Sequence, residues 1–355
     1  MAFLAETSNP HQKAPAAPVT VLLCNLGTPA AATSSALRPY LKQFLSDPRV
    51  VEVPRSIWWF ILRLFILPFR PRASAKLYQQ VWTDEGSPLL VTSRKQQKLL
   101  QDSLNSAYGR GQYHVELAMN YGAPSFGQAI AKLRQSFSNK LIVLPLYPQY
   151  CGATTASAFD ALSIELQRSR WVPSLKFVNS YHEHPLYIQA LKQSVLRHID
   201  KHGRPDKLIL SYHGTPKAYL DKGDPYHCFC MKTSRLLAEA LELKDSEYET
   251  TFQSRFGKQE WLQPYTDIRL QQLPAEGVTK IAVICPGFSA DCLETLEEIL
   301  VENKAIFFSS GGAGYEYIPC LNDQAGHIEM MRSLVEENAF VNYKISSSTK
   351  LNQVA

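Results

Sequence analysis

The 355-residue sequence predicts an α/β protein built from two similar halves around a shared ligand cleft. Three observations predict it. Short β-branched runs alternate with helical stretches along the chain, the pattern of parallel sheets carrying helices on their faces. Eight such runs stand out, four in each half. The two sets also repeat each other in detail, which a duplicated half-fold explains.

Taken in order, the first-half strands are expected at 19–25 (VTVLLCN), 113–119 (YHVELAM), 141–147 (LIVLPLY) and 175–179 (LKFVN). Those of the second half fall at 207–212 (KLILSY), 248–253 (YETTFQ), 280–285 (KIAVIC) and 315–319 (YEYIP). LLCNLGTP at 22–29 aligns with LILSYHGTP at 208–216, each a strand entering a Gly-Thr-Pro turn, so His213 takes the place of Leu26. KLIVLPLYPQYCGATT at 140–155 aligns with KIAVICPGFSADCLET at 280–295, setting Cys151 opposite Asp291. Ligands of such sheets bind beyond the carboxyl ends of the strands. The turns 24–29, 147–155, 211–216 and 285–294 should therefore face one cleft, with His213 and Glu294 near each other.

The expected organisation is a disordered arm over 1–18, an N-terminal half over 19–182, a C-terminal half over 183–340 and a tail over 341–355. A net charge of +5 with no Lys or Arg block leaves no nucleic-acid footprint. The N-terminus has no signal-peptide pattern, so a cytoplasmic protein with reduced cysteines is expected. NLGTP lacks the glycine-rich phosphate fingerprint, which disfavours a nucleotide cofactor. Ile57 to Phe69 (IWWFILRLFILPF) carries one charge, Arg63, between Arg55 on one side and Arg70 and Arg72 on the other. It is too short to span a bilayer. Two readings stand: an apolar lip that touches a membrane surface or covers a ligand, and a buried core helix.

His213 ends an apolar strand before a rigid turn that would aim its imidazole into the cleft. His182, His184, His227 and His327 are expected to cap helices or face solvent. Asp291, Glu294, Glu297, Glu298 and Glu302 crowd one helix. Glu294, Glu298 and Glu302 stack along one face at i, i+4 and i+8, where like charges repel by roughly 0.2 to 0.5 kcal/mol per pair. Such a row is either a solvated face or a proton- and cation-conducting ladder with raised pKa values. Tyr78, Trp82, Tyr121, Tyr147, Tyr150, Trp261 and Phe288 would line a flat slot for a planar ligand.

SYHGTP (211–216), GDPYHCFCMKT (223–233), FQSRFGKQEWLQPYTD (252–267) and CPGFSADCLETLEE (285–298) closely resemble the ferrochelatase family, enzymes that insert Fe²⁺ into a porphyrin in haem synthesis. The resemblance continues through NLGTP (25–29), FLSDPRVV (44–51), LYQQVWTDEGSPLL (77–90), AMNYGAPS (118–125), LPLYPQYCGATT (144–155) and YEYIPCLND (315–323). It is nearly chain-long and is greatest to the Gram-negative bacterial form. The resemblance implies two Rossmann-like halves of the class II chelatase type, each with a four-stranded parallel sheet. It implies that His213 and Glu294 form the catalytic and metal-site pair, and that Glu298, Glu302 and Asp291 relay protons or metal along a helix with a π-type distortion. Tyr78, Tyr121, Tyr150, Trp261, Phe288, Trp58 and Trp59 would hold the porphyrin. The partners implied are protoporphyrin IX and Fe²⁺ as substrates, with the lip against the inner membrane and the chain a monomer or weak dimer. No tightly bound cofactor is expected; the tail SSSTKLNQVA has no cysteines for a [2Fe–2S] cluster. Asn120 and Cys292 depart from relatives that carry a basic residue and a histidine there. The competing readings are a chelatase for coproporphyrin or cobalt and a non-catalytic tetrapyrrole-binding protein.

Overall fold

A computed structural model describes residues 18–136 and 138–340. The expected arm before residue 18 and the expected tail after 340 lie outside the described residues. The first half runs β1 (Val19–Thr28), α1 (Ser34–Leu45), α2 (Arg55–Ile61), α3 (Leu67–Val81), α4 (Pro88–Tyr108), β2 (Tyr113–Gly122), α5 (Phe126–Gln135), β3 (Lys140–Pro145), α6 (Ser157–Leu166) and β4 (Ser174–Phe177). The second runs α7 (Pro185–His202), β5 (Lys207–His213), α8 (Lys217–Asp221), α9 (Tyr226–Ala240), β6 (Tyr248–Gln253), α10 (Thr266–Gln272), β7 (Lys280–Ile284), α11 (Lys304–Ser309), β8 (Gly314–Ile318) and α12 (Ala325–Glu337). Every expected strand forms, with ends shifted by a few residues.

Both sheets are parallel, four-stranded and identically ordered: β2-β1-β3-β4 and β6-β5-β7-β8. Parallel strands covered on both faces read as continuous apolar runs rather than alternating ones. Strand β1 obeys this rule, with Thr20 through Asn25 all buried. Local signals set the helix starts. Ser125 caps α5 with a reciprocal Gln128 bond, and proline occupies the first turn of α4 and α7, where its missing N–H costs nothing. At the end of β1, Gly27 has φ +104°, and a Cβ there would lie 1.8 Å from the Tyr121 carbonyl oxygen. Only glycine lets β1 and β2 run side by side at that point.

The halves are not separate packing units. One apolar core joins Val21, Leu100 and Leu144 of the first half to Leu191, Leu210, Met330 and Leu334 of the second. The C-terminal helix α12 packs on both α4 and α7 and so ties the end of the chain to the first half.

Among the described residues three stretches are π-helical, Leu62–Ile66, Gly152–Ala156 and Glu294–Asn303. The last two follow β3 and β7, the aligned strands of the repeat, with Thr154 where Glu294 stands in the other half. Duplication therefore reaches the helix distortion, while the charge is found on one side only.

The segment 57–69 is not a buried helix. Trp59, Phe60, Leu64, Phe65 and Phe69 are exposed, Phe69 to 72%. The buried-core reading fails because only Leu62 and Leu67 of this segment are buried, packing with Tyr40, Leu41 and Tyr121, while Trp58 and Ile66 are half-buried against them.

Candidate functional site

His213 is the last residue of β5 and pairs in register with Gln253 at the end of β6. The next residue must be small: a Cβ on Gly214 would stand 2.8 Å from the Gln253 carbonyl oxygen and 3.1 Å from the Trp261 ring. The Gly214 N–H donates to that carbonyl at 2.7 Å, and the Leu262 N–H to Thr215 O at 2.9 Å, which fixes the turn. His213 Nδ1 lies 2.7 Å from Gly214 O. Because a carbonyl only accepts, this contact assigns the proton to Nδ1 and leaves Nε2 as the basic nitrogen. The ring is half-buried, with Phe288 6.5 Å away between centroids.

Glu294 opens the π-helix and Glu298 follows one turn on. Gln253 links them, its Nε2 donating to the Glu294 carbonyl at 3.0 Å and to Glu298 Oε2 at 3.3 Å. Its Oε1 accepts from Ser211 Oγ at 2.8 Å, which fixes the amide's orientation. The Ser254 N–H donates to Glu298 Oε1 at 2.7 Å, and its hydroxyl donates to Oε2. Burial holds Glu298 above the usual carboxylate range, against the lowering effect of Ser254 and of His213 nearby; the charge of Glu294 pushes the same way as burial. One carboxylate thus feels both the imidazole and the other carboxylate. On the opposite wall, burial and then the Glu294 charge raise Tyr40, and Tyr78 rises with burial, the neighbouring Tyr40 and Glu294. Helix α3, which carries Tyr78, packs against the π-helix, so the wall comes from the first half.

Other expected positions fall elsewhere. The Asp291 carboxylate accepts from Tyr317 at 2.5 Å, Asn322 at 2.7 Å, Thr295 at 3.2 Å and the Cys320 N–H at 3.3 Å. Those bonds make it a brace for the loop ahead of Glu294. Glu302 is exposed, and its charge reaches Glu297, which burial and Glu302 together hold above the usual range. The row of three acids therefore narrows to Glu294 and Glu298 on the inner side. Tyr121 is 3% exposed, with its hydroxyl 2.8 Å from Asp47 Oδ2 and 3.0 Å from Ser157 Oγ, and it offers no open face. Trp261 is buried against Gly214, Trp58 is half-buried with its Nε1–H donating to Leu45 O, and Trp59 is exposed under the Arg63 guanidinium at 4.6 Å. Phe288 and Tyr150 stay half-buried, while Tyr78 is buried beside Trp82.

Asn120 is buried and donates to Ser157 Oγ at 2.7 Å; Cys292 packs with Leu26, Leu89 and Phe288 between the halves. His184 caps α7 as expected, accepting from the Leu186 N–H at 3.2 Å. His182 and His327 are corrections: both are buried, the first stacked 3.8 Å from Phe229, the second with Nδ1 2.7 Å from Asn322 O.

Sequence reasoning missed Gln253, Ser254 and Tyr40. The first two lie within FQSRFGK, but no spacing rule joins them to a glutamate on another strand's helix. Tyr40 reaches the site from α1, with no local signal.

The chain was compared with known proteins. The family model described as Ferrochelatase matches residues 18–339. A ferrochelatase of Teredinibacter turnerae is 56% identical over 318 residues, covering 90% of this chain and 87% of that one. One of Idiomarina loihiensis is 54% identical over 320 residues, covering 90% and 88%. Among solved structures, SirB from Bacillus subtilis with Fe³⁺ superposes with TM-score 0.51 at 10% identity, covering 91% of this chain and 96% of that one. That likeness concerns the fold alone.

Proposed function

The chain belongs to the ferrochelatase family, and from that premise we propose that it inserts Fe²⁺ into protoporphyrin IX, forming protohaem and releasing two protons. The observation that carries the assignment to this site is Gln253, in register with His213 and hydrogen-bonded to both the Glu294 carbonyl and the Glu298 carboxylate. Insertion needs a group that takes pyrrole protons and another that hands over the metal. His213 Nε2, the basic nitrogen left when Nδ1–H donates to Gly214 O, is the acceptor. Glu294 meets the metal, and Glu298, already inclined to hold a proton, passes protons outward. The carboxylate is poised because burial and a like charge both favour its neutral form.

Phe288 beside His213 supplies an apolar face to the macrocycle. The exposed lip supplies another and rests on the inner membrane face, where aromatic rings and flanking arginines suit the headgroup region. Among the described residues no helix is long and apolar enough to cross a membrane. Trp261 and Tyr121 support the walls from behind rather than gripping the ring.

Anaerobic insertion of Fe²⁺ or Zn²⁺ into protoporphyrin IX and coproporphyrin, followed by absorbance, tests the proposal. Turnover should favour protoporphyrin. A folded protein inert with both would overturn the activity, and a clear preference for coproporphyrin would reassign the substrate.

A further inference from the structure

A second set of metal-type donors sits outside the cleft. Helix α7 carries His198 and His202 four residues apart, on one face. Their rings stack at 4.4 Å between centroids. Edge strand β8 brings Glu316 alongside, its Oε2 3.7 Å from His202 Nδ1. One donor atom from each of the three side chains lies within 4.8 Å of the others. His198 Nε2 is buried with no hydrogen-bond partner, a condition that destabilises unless something binds it. The three line a groove of about 850 Å³ that also includes Tyr317 and His327 but neither His213 nor Glu294.

We propose that His198, His202 and Glu316 form a binding site for a borderline divalent cation of the Zn²⁺ class. Two imidazoles and one carboxylate select against Mg²⁺ and Ca²⁺, which take oxygen ligands. Three protein donors leave one tetrahedral position for water. The donors must close in before they meet bond lengths of about 2.0–2.2 Å, and His202 and Glu316 are exposed and free to turn. Lys201 and Arg197 share the groove; Arg197 is held by Gln324, and Glu316 and Glu329 offset the positive charge. A bound ion would join α7 to β8 and strengthen that edge of the second sheet.

The test is Zn²⁺ titration calorimetry on tag-free, full-length protein carrying His213→Ala, Glu294→Gln and Glu298→Gln, which removes the cleft's imidazole and both inner carboxylates. One equivalent should still bind and raise the thermal midpoint. Adding His198→Ala and His202→Ala should weaken that binding at least about tenfold, ligand removal costing no less than loss of an outer partner. In the otherwise native chain the same two substitutions should leave porphyrin metallation unchanged, which also reports folding. Absence of an equivalent in the cleft-disabled protein, or one indifferent to the histidine substitutions, overturns the site. Because the readout is binding outside the cleft, it stands or falls separately from the insertion activity.

Discussion

Ser254 holds Glu298 from a left-handed backbone: at φ +68° it donates both its N–H and its hydroxyl to the one carboxylate. A non-glycine residue in that region costs on the order of 1–3 kcal/mol and persists where its surroundings fix it. Here the strained backbone and the carboxylate it holds occupy the same few atoms.

Replacing Glu298 by Gln should lower kcat about a hundredfold, the scale of a lost acid–base group, with a modest change in KM for porphyrin. Steady-state insertion with matched circular dichroism checks it; an unchanged rate would return Glu298 to a structural role. The sign for stability also follows. A carboxylate raised in the folded state contributes stability below its unfolded pKa and loses it as pH rises through the folded value. Urea unfolding should show the wild type losing ground to the Gln variant as pH climbs above the ordinary glutamate range.

Ser254→Gly should relieve the backbone and remove one donor, leaving stability nearly level. The lost hydroxyl had lowered the Glu298 pKa, so the acidic limb of the pH–rate profile should move to higher pH. A limb that stays in place would separate this carboxylate from turnover.

Gly214→Ala should cost about a hundredfold in kcat, because a shift near 1 Å in a positioned catalytic group carries that penalty. The added methyl meets backbone on one side and Trp261 on the other, so β5 and β6 must part at His213. Insertion kinetics alongside thermal melts tell displacement from unfolding: a melt close to wild type with normal activity would show that the turn yields elsewhere.

His327 makes an acid-stability prediction. Burial pulls its pKa from 6.5 down to about 4. For a depressed histidine the unfolded chain takes up protons first, so stability drops as pH falls from about 6.5 towards 4, by roughly 3 kcal/mol at most. Chemical denaturation across this window should show the slope, and His327→Gln should flatten it.

The lip should bind anionic vesicles. Phe60→Ser with Phe65→Ser removes two exposed rings and should abolish co-sedimentation while leaving the fold, read by circular dichroism, intact. Undiminished vesicle binding would move the membrane contact elsewhere.

The sheets were legible because buried parallel strands are written as apolar runs, and the inner strands β1, β3, β5 and β7 each carry one, whereas β4 (SLKF) and β6 (YETTFQ) at the edges are more polar. His213 was legible for the same reason, standing at the end of such a run before Gly-Thr-Pro. What stayed hidden depends on contacts between distant segments. Asp291 read as one more acid in a row, yet four donors from Thr295, Tyr317, Cys320 and Asn322 make it a brace. Tyr121 read as a clamp, yet Asp47 and Ser157 take its hydroxyl inward. Glu302 shared its spacing with Glu298, but spacing says nothing about which neighbour covers a helix face.

Helix α12 closes the chain onto α4, which was made near its beginning. Contacts between segments so far apart in sequence form late, since ordering the intervening chain comes first. During synthesis the first sheet must therefore wait with part of its apolar surface uncovered until α12 leaves the ribosome, and truncations that remove α12 should yield aggregation rather than a smaller working protein.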